Sequence, residues 1–209
     1  MITRRHFAAM SLALPFAATS FLPAFAQDSA ASADATPAEP LADIVMGSED
    51  APVTIVEYAS MTCPHCAAFH NGPFKELKSE YIDTGKVKFV LREFPLDRLA
   101  LAVAVLARCK SDKYYDIVDL YFENQQVWAT NDDPVGKMFA LAQQAGFSRD
   151  EFGECINDRA VQEGIYANRA RGEAEGVTGT PTLYIDGEKY EGARSIEGLR
   201  EVLDPKVGG

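Results

Sequence analysis

The chain has 209 residues, of which 47% are hydrophobic and 10% aromatic, and this composition excludes a wholly disordered or collagen-like protein. The length leaves room for one domain with an insertion or for two small domains. Its 31 acidic against 20 basic side chains give a net charge of -11. Such a chain lacks the cationic surface that a phosphate backbone requires, so nucleic acid is not expected as a partner.

Residues 1–26 have the pattern of a cleavable signal peptide. Arg4 and Arg5 precede an apolar stretch that ends in Ala24-Phe25-Ala26, the small-x-small sequence that signal peptidase recognises. A membrane anchor fits less well, because two prolines interrupt the stretch and no charged stop-transfer segment follows it. Export to the periplasm is expected, and the paired arginines fit both the general secretory and the twin-arginine route.

Residues 27–40 are predicted to be a disordered leader. They include no apolar side chain larger than Ala, so they cannot bury enough surface to offset the entropy of ordering. No heptad pattern runs through them, which argues against a coiled-coil stalk of the kind that builds oligomers. A monomer is expected.

The folded part begins with a predicted buried strand over residues 53–58, which are β-branched and almost continuously apolar. A turn at Cys63 leads into a helix over residues 66–81, within which Gly72-Pro73 predicts a kink or a break. Residues 87–94 predict a second strand.

A helical region is predicted next. Asp97 is a suitable N-cap for a helix that is apolar on all sides over residues 99–107 and is therefore expected to be buried. Residues 113–175 predict successive short helices, with residues 149–157 as a short link between two of them.

The last part of the chain predicts a hairpin followed by a helix. Residues 182–185 and 189–191 are β-rich and flank Asp186-Gly187, a dipeptide typical of tight hairpins. Apolar residues at helical spacing over 196–203 predict a closing amphipathic helix. The predicted order is β-α-β, a helical block, and then β-β-α.

The motif Cys63-Pro64-His65-Cys66 follows a predicted strand and opens a helix. Cys63 then lies where unpaired backbone N-H groups and the positive helix end favour a thiolate. Cys66 is one turn further on and can close a small ring with Cys63. So short a ring restricts the unfolded chain little, and the pair suits disulfide exchange better than structural cross-linking. A protonated His65 would add a positive charge that stabilises the thiolate.

Metal binding is an alternative, because Cys63, Cys66 and His70 could supply three ligands to zinc or copper. A fourth ligand is missing from the sequence, so neither a metal nor another cofactor is predicted. His70 itself is expected to be an ordinary residue on a helix surface, exposed or half buried.

Two segments carry a resemblance to a known family. Residues 57–66, EYASMTCPHC, resemble the active-site segment of the bacterial DsbA disulfide oxidoreductases. Residues 179–187, GTPTLYIDG, look like the thioredoxin-superfamily segment that places a cis-proline beside the CxxC motif. The resemblance covers roughly residues 41–204. It implies an α/β thioredoxin fold, formed by residues 41–96 and 177–209, with an inserted α-helical domain over residues 97–176.

The resemblance also implies roles for individual residues. Cys63 and Cys66 are the redox pair. Pro181, if cis, presents Thr180 to the Cys63 sulfur and leaves backbone free to pair with an extended substrate. Glu57, in the central strand, suits a proton acceptor for the Cys66 thiol. The alternative for Glu57 is a position at the strand end from which its side chain reaches water.

The function that this resemblance implies is the introduction of disulfides into unfolded exported proteins with free thiols. A quinone-linked membrane protein of the DsbB type is the expected reoxidant. Thr180 before the proline also occurs in isomerase-type relatives, so isomerase or reductase activity stays open.

Cys109 and Cys155 remain outside the redox motif. A bond between them would close a loop of about 46 residues and stabilise the fold by about 4 kcal/mol through loop-closure entropy. We expect a structural disulfide; the alternative is two free buried thiols.

Overall fold

A computed structural model describes residues 38–130 and 132–208, and its framework is a five-stranded mixed sheet. The predicted signal peptide and most of the predicted leader lie outside the described residues. The strands are β1 (Val45–Met46), β2 (Val53–Ala59), β3 (Val87–Glu93), β4 (Thr182–Ile185) and β5 (Glu188–Tyr190).

The strand order is β1-β3-β2-β4-β5, with β2 and β3 parallel and the other neighbouring pairs antiparallel. Both predicted strands are confirmed: β2 is the nearly continuous apolar run of the sequence and is buried at the centre of the sheet, and β3 pairs beside it in parallel. β1 is not among the predicted strands, because two residues are too few to show a periodicity.

Helices surround the sheet and occupy the chain between β3 and β4. They are α1 (Pro64–Asn71), α2 (Pro73–Leu77), α3 (Arg98–Cys109), α4 (Tyr114–Glu123), α5 (Gln125–Trp128), α6 (Pro134–Gln144), α7 (Arg149–Ile156), α8 (Arg159–Ala174) and α9 (Ile196–Val207). A π-helical turn, Lys78–Ile82, follows α2, and a 3-10 turn, Ser111–Lys113, precedes α4. The division into residues 41–96 with 177–209 and an insertion over 97–176 stays a prediction that this order supports.

Local sequence signals set several helix boundaries as predicted. The break at Gly72-Pro73 is confirmed, since α1 ends before it and Pro73 opens α2. Asp97 caps α3, its side chain accepting a hydrogen bond from the Ala100 N-H at 2.8 Å.

The prediction of a short link over residues 149–157 is wrong, because these residues form α7. A capping box starts the helix: the Ser148 hydroxyl accepts from the Glu151 N-H, and the Glu151 carboxylate accepts from the Ser148 N-H. Phe152 is the only fully buried side chain of α7, so its apolar stripe is too narrow to stand out in the sequence.

The predicted hairpin between β4 and β5 is confirmed. Asp186 and Gly187 both have positive φ, 50° and 84°, as a two-residue type I′ turn requires. The Asp186 carboxylate also accepts a hydrogen bond from the Thr54 N-H at 2.9 Å, which ties the turn to the start of β2.

Alternation along β2 assigns its side chains to two cores. Ile55 and Ala59 belong to the larger core, which includes residues of α1, α2 and α9, whereas Tyr58 belongs to a smaller core on the other face. Glu57 shares the face of Ile55 and Ala59, and therefore lies on the α1 side of the sheet. Within the described residues, no helix is long and apolar enough to cross a membrane.

Candidate active site

The Cys-Pro-His-Cys motif lies where β2 ends and α1 begins. Cys63 is the N-cap residue in an extended conformation, and Pro64 takes the first helical position, which suits its fixed φ. Cys63 is 5% exposed and Cys66 is fully buried. The side chain of His65 is exposed beside them.

The surroundings of the two sulfurs shift the pKa values of the two thiols in opposite directions. The pKa of Cys63 is lowered to about 5, and the main cause is a hydrogen bond from Cys66. Burial acts in the opposite direction and raises this pKa. Contacts from Thr180 and from the backbone N-H groups of Cys66 and His65 lower it further. The pKa of Cys66 is raised far above its ordinary value, first by burial, then by its contact with Cys63 and by the negative charge of Glu57. One sulfur is thus an anion near neutral pH and the other is a thiol.

The loop before β4 approaches the motif from the other side. The Thr180–Pro181 peptide bond is cis, and the Thr180 carbonyl oxygen lies 3.2 Å from Cys63 Sγ. Pro181 also lines a groove of about 370 Å³, whose wall includes His65, Phe69 and Arg194. The structure therefore brings Thr180 and Pro181 to the cysteine motif and leaves an open groove next to them.

Glu57 and His70 form a buried pair beneath the motif. Glu57 is fully buried, so its side chain does not reach water at a strand end. His70 Nε2 donates to Glu57 Oε2 at 2.8 Å. The prediction that His70 is a surface or half-buried residue is wrong: it is 2% exposed, because it lies on the same face of α1 as Cys66, one turn further on. Its Nε2 is engaged by Glu57, which does not favour the metal-binding alternative.

Two contacts that the sequence does not indicate hold the turn that carries Cys63. Gln125, at the start of α5, donates from Nε2 to the Met61 and Cys63 carbonyl oxygens, at 2.9 and 3.0 Å. Thr62 donates to the Asp97 carboxylate at 2.6 Å. Both partners come from the chain between β3 and β4, so no local pattern could have shown them.

Cys109 and Cys155 lie elsewhere in the fold. They are joined by a disulfide that links the last residue of α3 to α7, with the two Cα atoms 6.1 Å apart. Cys155 is in a helix rather than in a link. The two cysteines of the motif are free thiols.

Comparison with known proteins places this arrangement in a family. Residues 40–205 match a family profile described as Thioredoxin. A Rickettsia bellii protein named as a protein-disulfide oxidoreductase is 33% identical over 168 residues, which cover 79% of this chain and 64% of that protein. Disulfide bond formation protein D of Bacillus subtilis is 26% identical over 175 residues, 79% of this chain and 77% of its own.

A solved structure extends the comparison to three dimensions. The crystal structure of Wolbachia pipientis alpha-DsbA1 superposes with a TM-score of 0.74 and 30% identity, covering 81% of this chain and 94% of that one. The chain spans about three fifths of the length of the Rickettsia relatives that it matches. The chain belongs to the thioredoxin superfamily and, within it, to the DsbA family of thiol:disulfide oxidoreductases.

Proposed function

We propose that this protein is an exported thiol:disulfide oxidoreductase that passes the Cys63–Cys66 disulfide to unfolded proteins in the periplasm. The observation that carries the proposal is the separation of the two cysteine acidities: Cys63 has a pKa of about 5, whereas burial keeps Cys66 a thiol. A stabilised thiolate favours the reduced form of the pair, and a pair with a stable reduced form is a strong oxidant. The reacting sulfurs belong to the chain itself, so the chemistry needs no cofactor.

The reaction has two exchange steps. A substrate thiolate attacks Cys63 Sγ, a mixed disulfide forms, and the bond to Cys66 breaks with its electron pair going to Cys66 Sγ. A second substrate thiolate then attacks the substrate sulfur of the mixed disulfide and releases Cys63 as a thiolate. Glu57 is the group proposed to exchange a proton with Cys66, because its buried carboxylate acts electrostatically on that thiol.

The substrate is proposed to be an extended, unfolded segment. The Thr180 carbonyl oxygen lies 3.2 Å from Cys63 Sγ, and this stretch of backbone is the one with which an extended chain is proposed to pair. The groove beside Pro181 offers an apolar wall, Phe69, for a neighbouring substrate side chain. Neither contact requires the substrate to be folded.

The cellular setting is part of the proposal. Arg4, Arg5 and the Ala24-Phe25-Ala26 sequence support export by the secretory or twin-arginine route. An oxidant that has been reduced must be reoxidised, and we propose a quinone-linked membrane protein of the DsbB type as the reoxidant. The protein is proposed to act as a monomer.

Isomerase or reductase activity is the second candidate, and the residue that favours it is Thr180, which precedes the cis-proline in isomerase-type relatives as well. The same redox pair serves both roles, so the direction depends on its potential and on what keeps it oxidised or reduced.

The test uses reduced, unfolded ribonuclease as substrate. The oxidised protein should oxidise its thiols stoichiometrically, and Cys63→Ala should be inert. Reduced Cys66→Ala, offered ribonuclease with scrambled disulfides, should accumulate a mixed disulfide through Cys63, because Cys63 attacks a substrate disulfide, a substrate thiolate leaves, and no Cys66 remains to displace the adduct. Scrambled ribonuclease, offered to the reduced protein, reports isomerisation. Efficient unscrambling without net oxidation would replace the oxidase assignment with the isomerase one, and inactivity in both assays would overturn the proposal.

A further inference from the structure

The imidazole of His70 is held in a fixed orientation within the core. Its ring lies between Phe74 and Phe122, with both ring centroids 4.4 Å away. The two aromatic faces shield the ring from water and leave only its edge nitrogens free to interact. Nε2 points to Glu57 at 2.8 Å, and Nδ1 points away from it, towards Asp119.

The unusual feature of the Glu57–His70 pair is the polar atom at each of its two ends. Glu57 Oε1 and His70 Nδ1 are buried and have no hydrogen-bond partner in the part of the chain that the structure describes. Buried polar atoms are normally satisfied, because leaving one unpaired costs about 1–3 kcal/mol. A pair with a free acceptor at one end and a ring nitrogen at the other is suited to passing a proton between its ends.

The inner end of the pair faces the redox site. Cys66 and His70 are four residues apart on α1 and both are buried on its core side, over the strand that carries Glu57. The charge of Glu57 acts on Cys66 and raises the pKa of its thiol. Cys66 is fully buried, so its proton cannot pass directly to solvent.

The outer end reaches the surface. Asp119 Oδ1 lies 3.7 Å from His70 Nδ1, a gap that a small rotation of this half-exposed side chain or one water molecule can close. A narrow cleft leads from His70 to solvent between α2 and α4. The other charged groups that line it are Lys75, Lys78 and Glu123. Lys75 lies 3.0 Å from Glu123, and Lys78 lies 2.6 Å from Asp83.

The charges around His70 favour its cationic form in the reduced protein. Burial alone would lower the pKa of His70, but the carboxylates of Glu57 and Asp119 outweigh it and raise the pKa above its ordinary value. The two cleft lysines are each paired with a carboxylate of their own, which weakens their opposing effect.

We propose that Glu57, His70 and Asp119 form a proton route between the buried Cys66 sulfur and solvent. The inference rests on the proposed function and specifies how its buried thiol gains and loses a proton. His70 and Asp119 do not touch the reacting sulfurs; they act through Glu57.

The proton transfers balance in both directions. During reoxidation the Cys66 thiol gives its proton to Glu57 Oε1, His70 gives its Nδ1 proton to Asp119, and Asp119 releases that proton to water. The Cys66 thiolate then forms the bond to Cys63 Sγ, and the group bound to Cys63 leaves with the electron pair of the broken bond. During substrate oxidation Cys66 Sγ receives the electron pair of the broken disulfide and a proton from Glu57, while His70 takes a proton from solvent through Asp119.

This cycle keeps the buried pair free of net charge. Glu57 and His70 are an anion and a cation while Cys66 is a thiol, and both are neutral while Cys66 is in a disulfide. An isolated buried charge is costly, and neither state of the pair contains one.

The first test follows His70 by NMR of imidazole nitrogen-15 in the whole mature protein at neutral pH. His70 should be cationic in the reduced protein and neutral in the oxidised protein, with His65 in the same spectrum as the exposed reference. A buried pair that only stabilises the fold would keep one ionisation state in both redox forms.

The second test measures the two steps of exchange with oxidised glutathione. Asp119→Asn should slow the step in which Cys66 displaces glutathione from Cys63 by ~10-fold, less than the ~10²-fold of a directly placed base, since water can partly replace Asp119. Attack of Cys63 on glutathione should keep its rate, and added imidazole buffer should restore the slow step. Glu123→Gln, a change in the same cleft at a residue paired with Lys75, is the matched control and should leave both steps unchanged.

Either of two results overturns the route: an unchanged ionisation state of His70 between redox forms, or an Asp119→Asn rate equal to that of the control. The wild-type protein separates this failure from failure of the proposed function. If it does not form the glutathione adduct at Cys63, the oxidoreductase proposal itself fails.

Discussion

Cys63 and Cys66 are three residues apart, yet their positions at the helix end give them different chemistry. Cys63 is the N-cap residue of α1, where the backbone N-H groups of His65 and Cys66 lower the pKa of its thiol, whereas Cys66 is withdrawn into the core over Glu57. Because Cys66 in turn donates to the Cys63 sulfur, the buried thiol itself stabilises the thiolate next to it. The proposed order of reaction follows from this geometry: Cys63 is the sulfur expected to meet the substrate, and Cys66 is the one expected to close the ring.

The first prediction concerns the lowered pKa of Cys63. In the reduced protein the thiolate absorbance should titrate with a midpoint near pH 5, and Cys63→Ser should remove that transition. Alkylation near neutral pH should mark Cys63 well before Cys66. Because the folded pKa is below the ordinary value of 9.0, the thiolate stabilises the reduced form fully above that pH, and this stabilisation is lost as the pH falls to about 5. Equal labelling of the two cysteines would contradict the assignment.

The residues next to Cys63 make the second prediction, which concerns the redox potential. A positive charge on the His65 imidazole would stabilise the thiolate, and charge-assisted contacts are about twice as strong as neutral ones. His65→Ser should therefore make the potential more negative by tens of millivolts, at ~30 mV per 1.4 kcal/mol. Thr180→Val removes only a neutral hydroxyl and should shift it less. A larger shift from Thr180→Val, measured in the same glutathione buffers, would reverse this ranking.

At the scale of elements, the Cys109–Cys155 disulfide joins α3 to α7 across a 46-residue separation. Cys109→Ala with Cys155→Ala should lower the free energy of unfolding by about 4 kcal/mol, since loop-closure entropy is lost, while thiol oxidation by Cys63 continues. A mild reductant should open Cys63–Cys66 and leave this bond intact. Denaturant unfolding and mass mapping of the thiols check both statements, and free Cys109 and Cys155 in protein isolated from the periplasm would contradict them.

The packing of α8 on the sheet makes a further prediction at this scale. A Cβ at Gly172 would lie 2.8 Å from the Tyr58 ring and 3.1 Å from Phe94, so Gly172→Ala should cost about 1–3 kcal/mol of stability despite the better helix propensity of Ala. Gly153 in α7 has nothing within 4 Å of its Cβ position among the described residues, so Gly153→Ala should instead stabilise by about 0.5–1 kcal/mol. Denaturant unfolding measures both changes. If Gly172→Ala and Gly153→Ala changed the free energy of unfolding in the same direction, the close contact with Tyr58 and Phe94 would not be what excludes a side chain at residue 172.

These elements show what the sequence can predict. The two central strands, the break at Gly72-Pro73 and the Asp186-Gly187 hairpin follow from short-range signals, and the structure confirms them. The Ser148–Glu151 capping box is a local signal for the start of α7, but the single buried side chain of that helix leaves no apolar periodicity to predict the rest of it.

The site divides in the same way. Its cysteines and the loop at Pro181 are contained in local motifs, whereas the contacts of His70 and Gln125 depend on residues 13 and more than 60 positions away. A histidine on an amphipathic helix gives no sign in one dimension that a buried carboxylate lies beneath it. The burial of Glu57 at the centre of the sheet completes the pair, and only the packed fold brings the two together.

At the scale of the whole molecule, the chain between β3 and β4 does more than enlarge the thioredoxin fold. It supplies Asp97 and Gln125, which fix the turn that carries Cys63, and Phe122 and Asp119, which enclose and face His70. The sheet thus contacts the cysteine pair on one side and the helices contact it on the other. A redox potential measured on the intact protein therefore depends on both sets of contacts.

That potential tests the proposed direction of the reaction most directly. The mature protein should be equilibrated with glutathione redox buffers and the Cys63–Cys66 state read by trapping with a thiol reagent, with Cys63→Ala as the blank. We predict a potential more positive than about -180 mV, the value of protein disulfide isomerase, because the Cys63 thiolate stabilises the reduced form. A potential of about -270 mV, the value of thioredoxin, would contradict the oxidase account and indicate that the protein is a reductase.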